Sequence, residues 1–454
     1  MYNLGMRLLS FTVGNCFSIR EQQTMTFAKG LDSPREPSGG WDSATTHVSI
    51  IHGANASGKS NFLAAMRFGL QAIQGSATVW RAADENQPLP YRPFLLDETS
   101  RAEPSFFEWD FVVEGVRYVY GFELDAHRVH SEWLSRVPSA RWSPVFSRTP
   151  EAVEWTESAV SKKNQKAYAR ASDKELLFSV AFRDELPLLG RVARELVMKI
   201  KFLPTGSDYE DMRINNLIQQ IRNGDLNLED VSSLLVAADT GITRVVLDEK
   251  RIPAKILEQV KRVLGALNSP DDASGDKTRQ LAFKFSDEEL EDIAYSLRFI
   301  HRSEGGEVKL SLADQSDGTK SWLSIAPTVL SVLRNGDFLV ADELDASLHV
   351  TLLFMIVSAF ADPDVNINNA QLLLTTHNTN LLENRKKLHL IPADFWFAEK
   401  SPAGSSSYYS LDSFDKRDDA NYERRYLSGR YGAIPEISPS TLKGLIRSGV
   451  DHDE

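Results

Sequence analysis

The sharpest change of period in the chain falls just after residue 47. HVSIIHG is a short apolar, β-branched run that stops at glycine, as a strand buried on both faces does when it enters a turn. KSNFLAAMRFGLQAI follows at once and carries Phe62, Leu63, Met66, Leu70 and Ile73 at helical spacing. The pattern predicts strand, glycine loop, helix. Upstream, MYNLGMRLLSFTVGNCFSIREQQTMTF alternates with period two through Ile19, Met25 and Phe27, and predicts a pair of strands. Downstream, FFEWDFVVEGVRYVYGFELDAHRVHSEWL alternates in the same way. Its breaks at Glu114-Gly115 and Asp125-Ala126 predict an antiparallel meander of three strands.

From about 155 to 295 the pattern turns charged and helical. KILEQVKRVLGAL places Ile256, Val260, Val263, Leu264 and Leu267 on one stripe, and Asn227 ahead of LEDVSSLLVA reads as an N-cap. This is the expected inserted helical subdomain, too short and interrupted for a long coiled coil. Strand character returns in YSLRFIHRSEGGEVKLSL, a hairpin turning at Gly305-Gly306, and LSLADQSDGTKSWL then passes through a small polar turn into a helix. DFLVADE and AQLLLTTH are continuous apolar runs suited to the centre of a parallel sheet. DFWFAEK is a last strand, and GSSS at 404 to 407 reads as a loop. The expected fold is α/β, with a mixed sheet, an antiparallel meander and the helical insert. Its parts are an N-terminal lobe over 1–154, the insert over 155–295, a C-terminal lobe over 296–400 and an arm over 401–454.

Bulk composition narrows the function classes. The 454 residues are 42% apolar, enough for a sizeable core, and carry a formal charge of -12, which argues against a surface that is basic throughout. The single cysteine, Cys16, excludes an internal disulfide and a thiolate zinc site, as expected in a reducing cytoplasm. No stretch reaches the roughly 18 uninterrupted apolar residues of a membrane helix, and the N-terminus has no cleavage-site pattern, so a soluble protein is expected.

The candidate chemistry begins in the glycine turn, GANASGKS. Gly53, Ala54, Asn55, Ala56, Ser57, Gly58, Lys59 and Ser60, with Asn61 after them, form a candidate ATP-binding phosphate loop. Successive backbone N–H groups curl round the α- and β-phosphates, and the dipole of the following helix adds positive potential. Lys59 reaches the β- and γ-phosphates, and the Ser60 hydroxyl ligates Mg²⁺. A phosphate loop binds nucleotide but needs an acidic strand end to hold the metal. FLVADE supplies Asp342 for Mg²⁺, with Glu343 beside it to orient or deprotonate the attacking water. His377 ends the next buried strand and points toward the same crevice, where it can donate to the γ-phosphate. Gln87, in ENQPLPYRPF, is a further candidate to link Mg²⁺ and water.

Taken in order, GANASGKS, QSDGT, LVADELDASLH and TTHN resemble the ABC-class ATPase heads, the group that includes the chromosome-maintenance and break-repair ATPases. SDGT, DELDASLH and the C-terminal YLSGRYGAIP are similar to the AbiLi/RloA-like ATPases of bacterial phage-defence operons. The likeness spans nearly the whole chain. It implies a P-loop NTPase head of ABC type and a head-to-tail pair, in which two ATP molecules are each held by one phosphate loop and the opposite protomer's signature helix. Ser316, Gly318 and Thr319 match the signature positions. With Asp317 before the glycine and Thr319 after it, the chain departs from the Leu-Ser-Gly-Gly-Gln pattern of transporters. Asp345 matches the position that touches the neighbouring protomer, and His349 is a surface or packing residue.

Three functions follow. The resemblance implies an ATP-hydrolysing switch that senses, while a separate effector, such as a nuclease, acts. A nuclease with its own ATPase head would need a two-metal carboxylate cluster, for which Asp362-Pro363-Asp364 is the tempting pair. A DNA repair or recombination ATPase would need basic contacts, which Arg385-Lys386-Lys387 and Arg424-Arg425 offer.

Overall fold

The structure, a computed structural model, describes residues 5–82, 87–156, 160–168, 171–251, 293–414, 421–434 and 440. The expected stripe through Ile256 and Leu267 lies outside the described residues. The chain divides into two compact units: Met1–Gly206 with Thr328–Glu454, and Ser207–Pro327.

In the larger unit the N-terminal alternation does form a strand pair. Strand β1 (Arg7–Gly14) runs antiparallel to β2 (Gln23–Thr26), with Phe11 opposite Met25. The other edge of β1 is taken by β4 (Ser105–Val113), which continues into β5 (Val116–Leu124) and β6 (Val129–Val137), the expected meander. Strands β7 (Ser143–Arg148) and β8 (Val153–Trp155) extend it to a seven-stranded antiparallel sheet, ordered β2-β1-β4-β5-β6-β7-β8.

The second sheet of this unit carries the glycine turn. Its order is β16-β15-β3-β14-β13-β9. Strands β3 (Val48–Gly53), β14 (Gln371–Thr375), β13 (Phe338–Ala341) and β9 (Ile200–Leu203) are parallel neighbours, with Leu373 opposite Ser49 on one side and Val340 on the other. On the far side β15 (Phe395–Lys400) is parallel to β3, and β16 (Ser406–Ser410) closes the edge antiparallel to β15. Continuous burial of β3, β13 and β14 explains their unbroken apolar sequences.

Two sequence expectations differ here. GSSS at 404 to 407 is not only a loop, because Ser406 and Ser407 open β16 and pair with Lys400 and Glu399. The span expected to be a helical insert, 155–295, is shared between the units. The helices Leu177–Arg183 and Leu189–Lys199 and strand β9 belong to the larger one. The reason for strand β9 is range: IKFL is four residues long, and among the described residues its ladder partner is β13, far downstream.

The helix Lys59–Gly75 touches both sheets, burying the predicted Phe62, Leu63, Met66, Leu70 and Ile73. The Phe62 ring lies 5.4 Å from Phe11 of β1 and 4.9 Å from Tyr408 of β16. Each such side chain contributes about 1.5–3 kcal/mol of transfer free energy. Gly69 brings this helix against the wholly buried Trp109, since a Cβ there would fall on the indole, 2.8 Å from Cζ2.

The smaller unit holds the helices Glu210–Asn223 and Leu228–Ala237 and an antiparallel sheet of β10 (Ile242–Arg251), β11 (Ile293–Ser303) and β12 (Gly306–Ser311). Asn227 caps its helix as expected, its side chain accepting the Asp230 N–H at 2.6 Å. Within this unit the Trp322 indole donates to the Leu234 carbonyl at 2.8 Å, and the buried Arg213 donates to Ser324 Oγ at 3.0 Å. Among the described residues no helix is long and apolar enough to cross a membrane.

Candidate functional site

Strand β3 ends at Gly53, and the chain turns back on itself before the helix that starts at Lys59. Glycine is required twice. A Cβ on Gly53 would lie 2.5 Å from the Ala398 carbonyl oxygen, and Gly58 holds φ +104 with Ser18 and Ser406 closed around it. Ala56 also takes a left-handed φ of 60°, while Asn55, Ala56 and Ser60 face solvent. Lys59 is 4% exposed, and its Nζ donates to the carbonyls of Gly53 at 3.0 Å and Ala54 at 3.1 Å, so the ammonium lies against the loop. Burial pushes its pKa down, and the carboxylates of Glu343, Asp342 and Asp345 push it back up.

Parallel pairing of β3, β14 and β13 brings the ends of three runs that are distant in sequence to one edge of the sheet. Ser60 Oγ donates to Asp342 Oδ1 at 3.1 Å. Thr375 Oγ1 donates to the same carboxylate oxygen at 2.5 Å and accepts the Glu343 N–H at 2.8 Å. The Thr205 hydroxyl donates to the Asp342 carbonyl. Glu343 is held at φ +47, a left-handed conformation that costs a non-glycine residue about 1–3 kcal/mol. Its half-exposed carboxylate lies 3.5 Å from His377 Nε2. The His377 N–H is donated to Asp345 Oδ2 at 3.2 Å, and Asp345 Oδ1 is buried without a hydrogen-bond partner. Lys59, Ser60, Asp342, Glu343 and His377 are thus brought together at one edge of the sheet.

Several residues that build this edge carry no signal in the local pattern. Thr375 and Thr205 are ordinary threonines in the sequence. The back of the loop is held by a serine chain: Asn61 Nδ2 donates to Ser18 Oγ at 2.7 Å, and Ser18 Oγ and Ser406 Oγ are 2.8 Å apart. Ser406 Oγ donates to the Ser57 carbonyl at 2.7 Å. Tyr408 Oη donates to the Gly58 carbonyl at 2.6 Å. His52, just before Gly53, is 1% exposed between Phe395, Phe397 and Tyr426, with no hydrogen-bond partner at Nε2. Burial, with the charges of Lys59 and His377 beside it, pushes its pKa down to about 3.

Ser316, Gly318 and Thr319, expected as signature residues, lie in the smaller unit at the start of the helix Asp317–Asn335. Ser316 Oγ accepts the Thr319 N–H at 3.2 Å and lies 2.9 Å from Thr319 Oγ1, an N-cap for the helix Asp317–Asn335. Ser316 and Gly318 are exposed, and a Cβ on Gly318 would meet nothing within 4 Å. Gln87 is exposed, and its main-chain carbonyl accepts from Lys174 Nζ at 2.9 Å. His349 is exposed and caps the helix Val350–Ala361 through Nδ1. Asp362 accepts the Asp364 N–H at 2.9 Å, closing a turn. Lys386, Lys387 and Arg424 are exposed, whereas Arg385 is buried over the Tyr422 ring, 4.7 Å from its centroid.

Two solved structures resemble the chain at low identity. The crystal structure of the SMC head bound to the C-winged helix domain of ScpA is 14% identical, over 89% of this chain and 97% of that one, with a TM-score of 0.38. The SMC head domain from Thermotoga maritima is 13% identical, over 89% and 98%, also with a TM-score of 0.38. No curated protein matches the chain. A family profile spans residues 48–383, from the first residue of β3 past His377, and so takes in the phosphate loop and the Asp342 strand. With that much of its length matched, the chain belongs to the P-loop family described as "AAA domain, putative AbiEii toxin, Type IV TA system".

Proposed function

We propose that the chain is an ATP-binding and ATP-hydrolysing switch of the ABC type, working as a head-to-tail pair and controlling a separate effector, such as a nuclease, in an anti-phage defence system. The observation that carries the reading is the hydroxyl–carboxylate chain from Ser60 through Asp342 to Thr375 beside the buried Lys59. The defence role is supported by the link that the family's description draws to abortive-infection and toxin–antitoxin systems.

The donor set at Ser60 and Asp342 is all oxygen, one hydroxyl and one carboxylate, which suits Mg²⁺ shared with phosphates and water better than a softer metal. Mg²⁺ held there would neutralise charge on the β- and γ-phosphates. The chain's own groups supply the rest. The loop's N–H groups and Lys59 bind the polyphosphate, and Glu343 takes a proton from the attacking water. His377, 3.5 Å from Glu343, donates toward the γ-phosphate. Ser316, Gly318 and Thr319 present their N-cap to the partner's nucleotide. Gln87 stays outside this assignment, since its described contact is a main-chain one with Lys174.

Steady-state hydrolysis by the purified chain tests the reading. Lys59→Ala should lower turnover by at least about 100-fold and abolish protection of cells carrying the system against phage. Hydrolysis as fast as in the parent chain would sink the assignment.

A further inference from the structure

Within the C-terminal arm, the segment 421–434 reaches the two strand ends that carry the site. The Thr379 hydroxyl, two residues beyond His377, donates to Glu423 Oε1 at 2.5 Å. Tyr426, on the same short helix Tyr422–Leu427, stacks on Phe397 at 5.3 Å and sets its ring 5.9 Å from His52, one residue before the phosphate loop. That segment is itself anchored on β15 and β16. Tyr409 Oη donates to the Tyr431 carbonyl at 2.7 Å, Tyr431 stacks on Phe397 at 5.5 Å, and the Ala433 N–H is donated to Glu399 Oε1 at 3.4 Å. Tyr426 Oη donates to the Ala433 carbonyl at 3.1 Å, which closes the arm on itself.

The His377 segment is held further downstream by the buried Leu381 and Leu382, while the turn before them relies on polar ties. His377 is 40% exposed, and upstream its main chain is held by Asp345. Downstream, the Asn378 N–H bonds to Thr376 Oγ1 and the Asn380 N–H to Asn378 Oδ1, contacts that shape the turn without tying it to another element. The helix Asn380–Glu383 that follows is a single turn, too short to be stable alone. The Thr379–Glu423 bond, charge-assisted and partly buried, ties the turn to the arm, and Arg385 over Tyr422 adds a second tie.

We propose that the C-terminal arm is a positioning clamp: Glu423, acting through Thr379, fixes His377 opposite Glu343 for hydrolysis. This rests on the ATPase reading above. Losing the Glu423–Thr379 bond would free the His377 turn while leaving the phosphate loop's own bonds in place, so this bond is a point at which hydrolysis can be set without changing nucleotide affinity.

The test is steady-state ATP hydrolysis by the full chain carrying Glu423→Ala, Glu423→Gln or Thr379→Val, with each variant's thermal midpoint measured alongside. Glutamine keeps an acceptor for the Thr379 hydroxyl, and valine replaces that hydroxyl at nearly constant volume. Glu423→Ala and Thr379→Val should lower kcat about 10-fold with KM for ATP within about 2-fold, as a mispositioned catalytic group does. Glu423→Gln should keep most of the parent rate. In a His377→Ala background, Glu423→Ala should add less than about 2-fold, because the clamp acts through that histidine. An unchanged kcat, a matching rise in KM, or full additivity with His377→Ala would overturn the clamp while leaving the ATPase reading intact. Absence of Lys59-dependent hydrolysis in the parent chain would defeat the ATPase reading and the clamp with it.

Discussion

Thr375 uses one hydroxyl in two directions, accepting the Glu343 N–H and donating to the Asp342 carboxylate. That pairing accounts for a glutamate held at φ +47, since the turn that needs the strained conformation is tied to the next strand. Asp342 and Glu343 were legible because an apolar strand ending in two acids is a local pattern. Thr375 was not, because nothing in TTHN distinguishes its first threonine from its second. His52 was hidden for a related reason: in HVSIIHG it looks like one more strand residue, and only the fold buries it beside Lys59 and the aromatic rings. Its consequence is measurable. The native state keeps His52 neutral down to about pH 3, whereas the unfolded chain takes up the proton near the ordinary value of 6.5. The native state therefore binds fewer protons between these values, and stability is lost as pH falls through that window. Urea unfolding of the parent and of His52→Phe at pH 7 and pH 5 should show the parent losing about 2 kcal/mol more over that interval. Equal losses would mean that His52 is protonated in the fold.

Elements read well where their partners are close in sequence and poorly where they are not. The meander, the β11–β12 hairpin, the phosphate-loop helix and the Asn227 cap are local, and their periodicity announced them. Strand β9 and strand β16 were missed because each is four or five residues long and stabilised by neighbours elsewhere in the chain. The helix Lys59–Gly75 illustrates the same limit. Phe62, Leu63, Met66, Leu70 and Ile73 mark its buried face, but the pattern does not say why Gly69 interrupts a good helix. The structure gives the reason as close approach to Trp109. Gly69→Ala should therefore invert the usual preference. Alanine gains about 1 kcal/mol of helix propensity over glycine, yet its methyl would enter the space of a wholly buried indole, an overpacking that costs about 1–3 kcal/mol. A lower urea midpoint is expected, with recovery when Trp109→Leu is added. A raised midpoint in the single variant would show that the helix can move away from the sheet.

At the scale of the whole molecule, the resemblance to ABC-class heads implies a site assembled from two chains; within one chain the phosphate loop and Ser316, Gly318 and Thr319 belong to different compact units. The local geometry of Gly318 gives this a clean test. Its Cβ position is open and its φ is ordinary, so nothing among the described residues of its own chain demands glycine. An aspartate there, in the first turn of the helix Asp317–Asn335, is also compatible with the helix dipole. Gly318→Asp should consequently fold normally and bind nucleotide at its own phosphate loop, and any loss of hydrolysis must arise across the pair. Alone, Gly318→Asp and Lys59→Ala should each be inactive. Mixed in equal amounts, half of the pairs combine one chain of each kind. Each such pair retains one composite site, built from the intact loop of the Gly318→Asp chain and the intact signature of the Lys59→Ala chain. With random exchange and independent sites, the mixture should recover about a quarter of the parent activity per chain. Full activity in Gly318→Asp alone would remove the signature from the site, and no recovery on mixing subunits that demonstrably exchange would rule out a head-to-tail pair with independent sites.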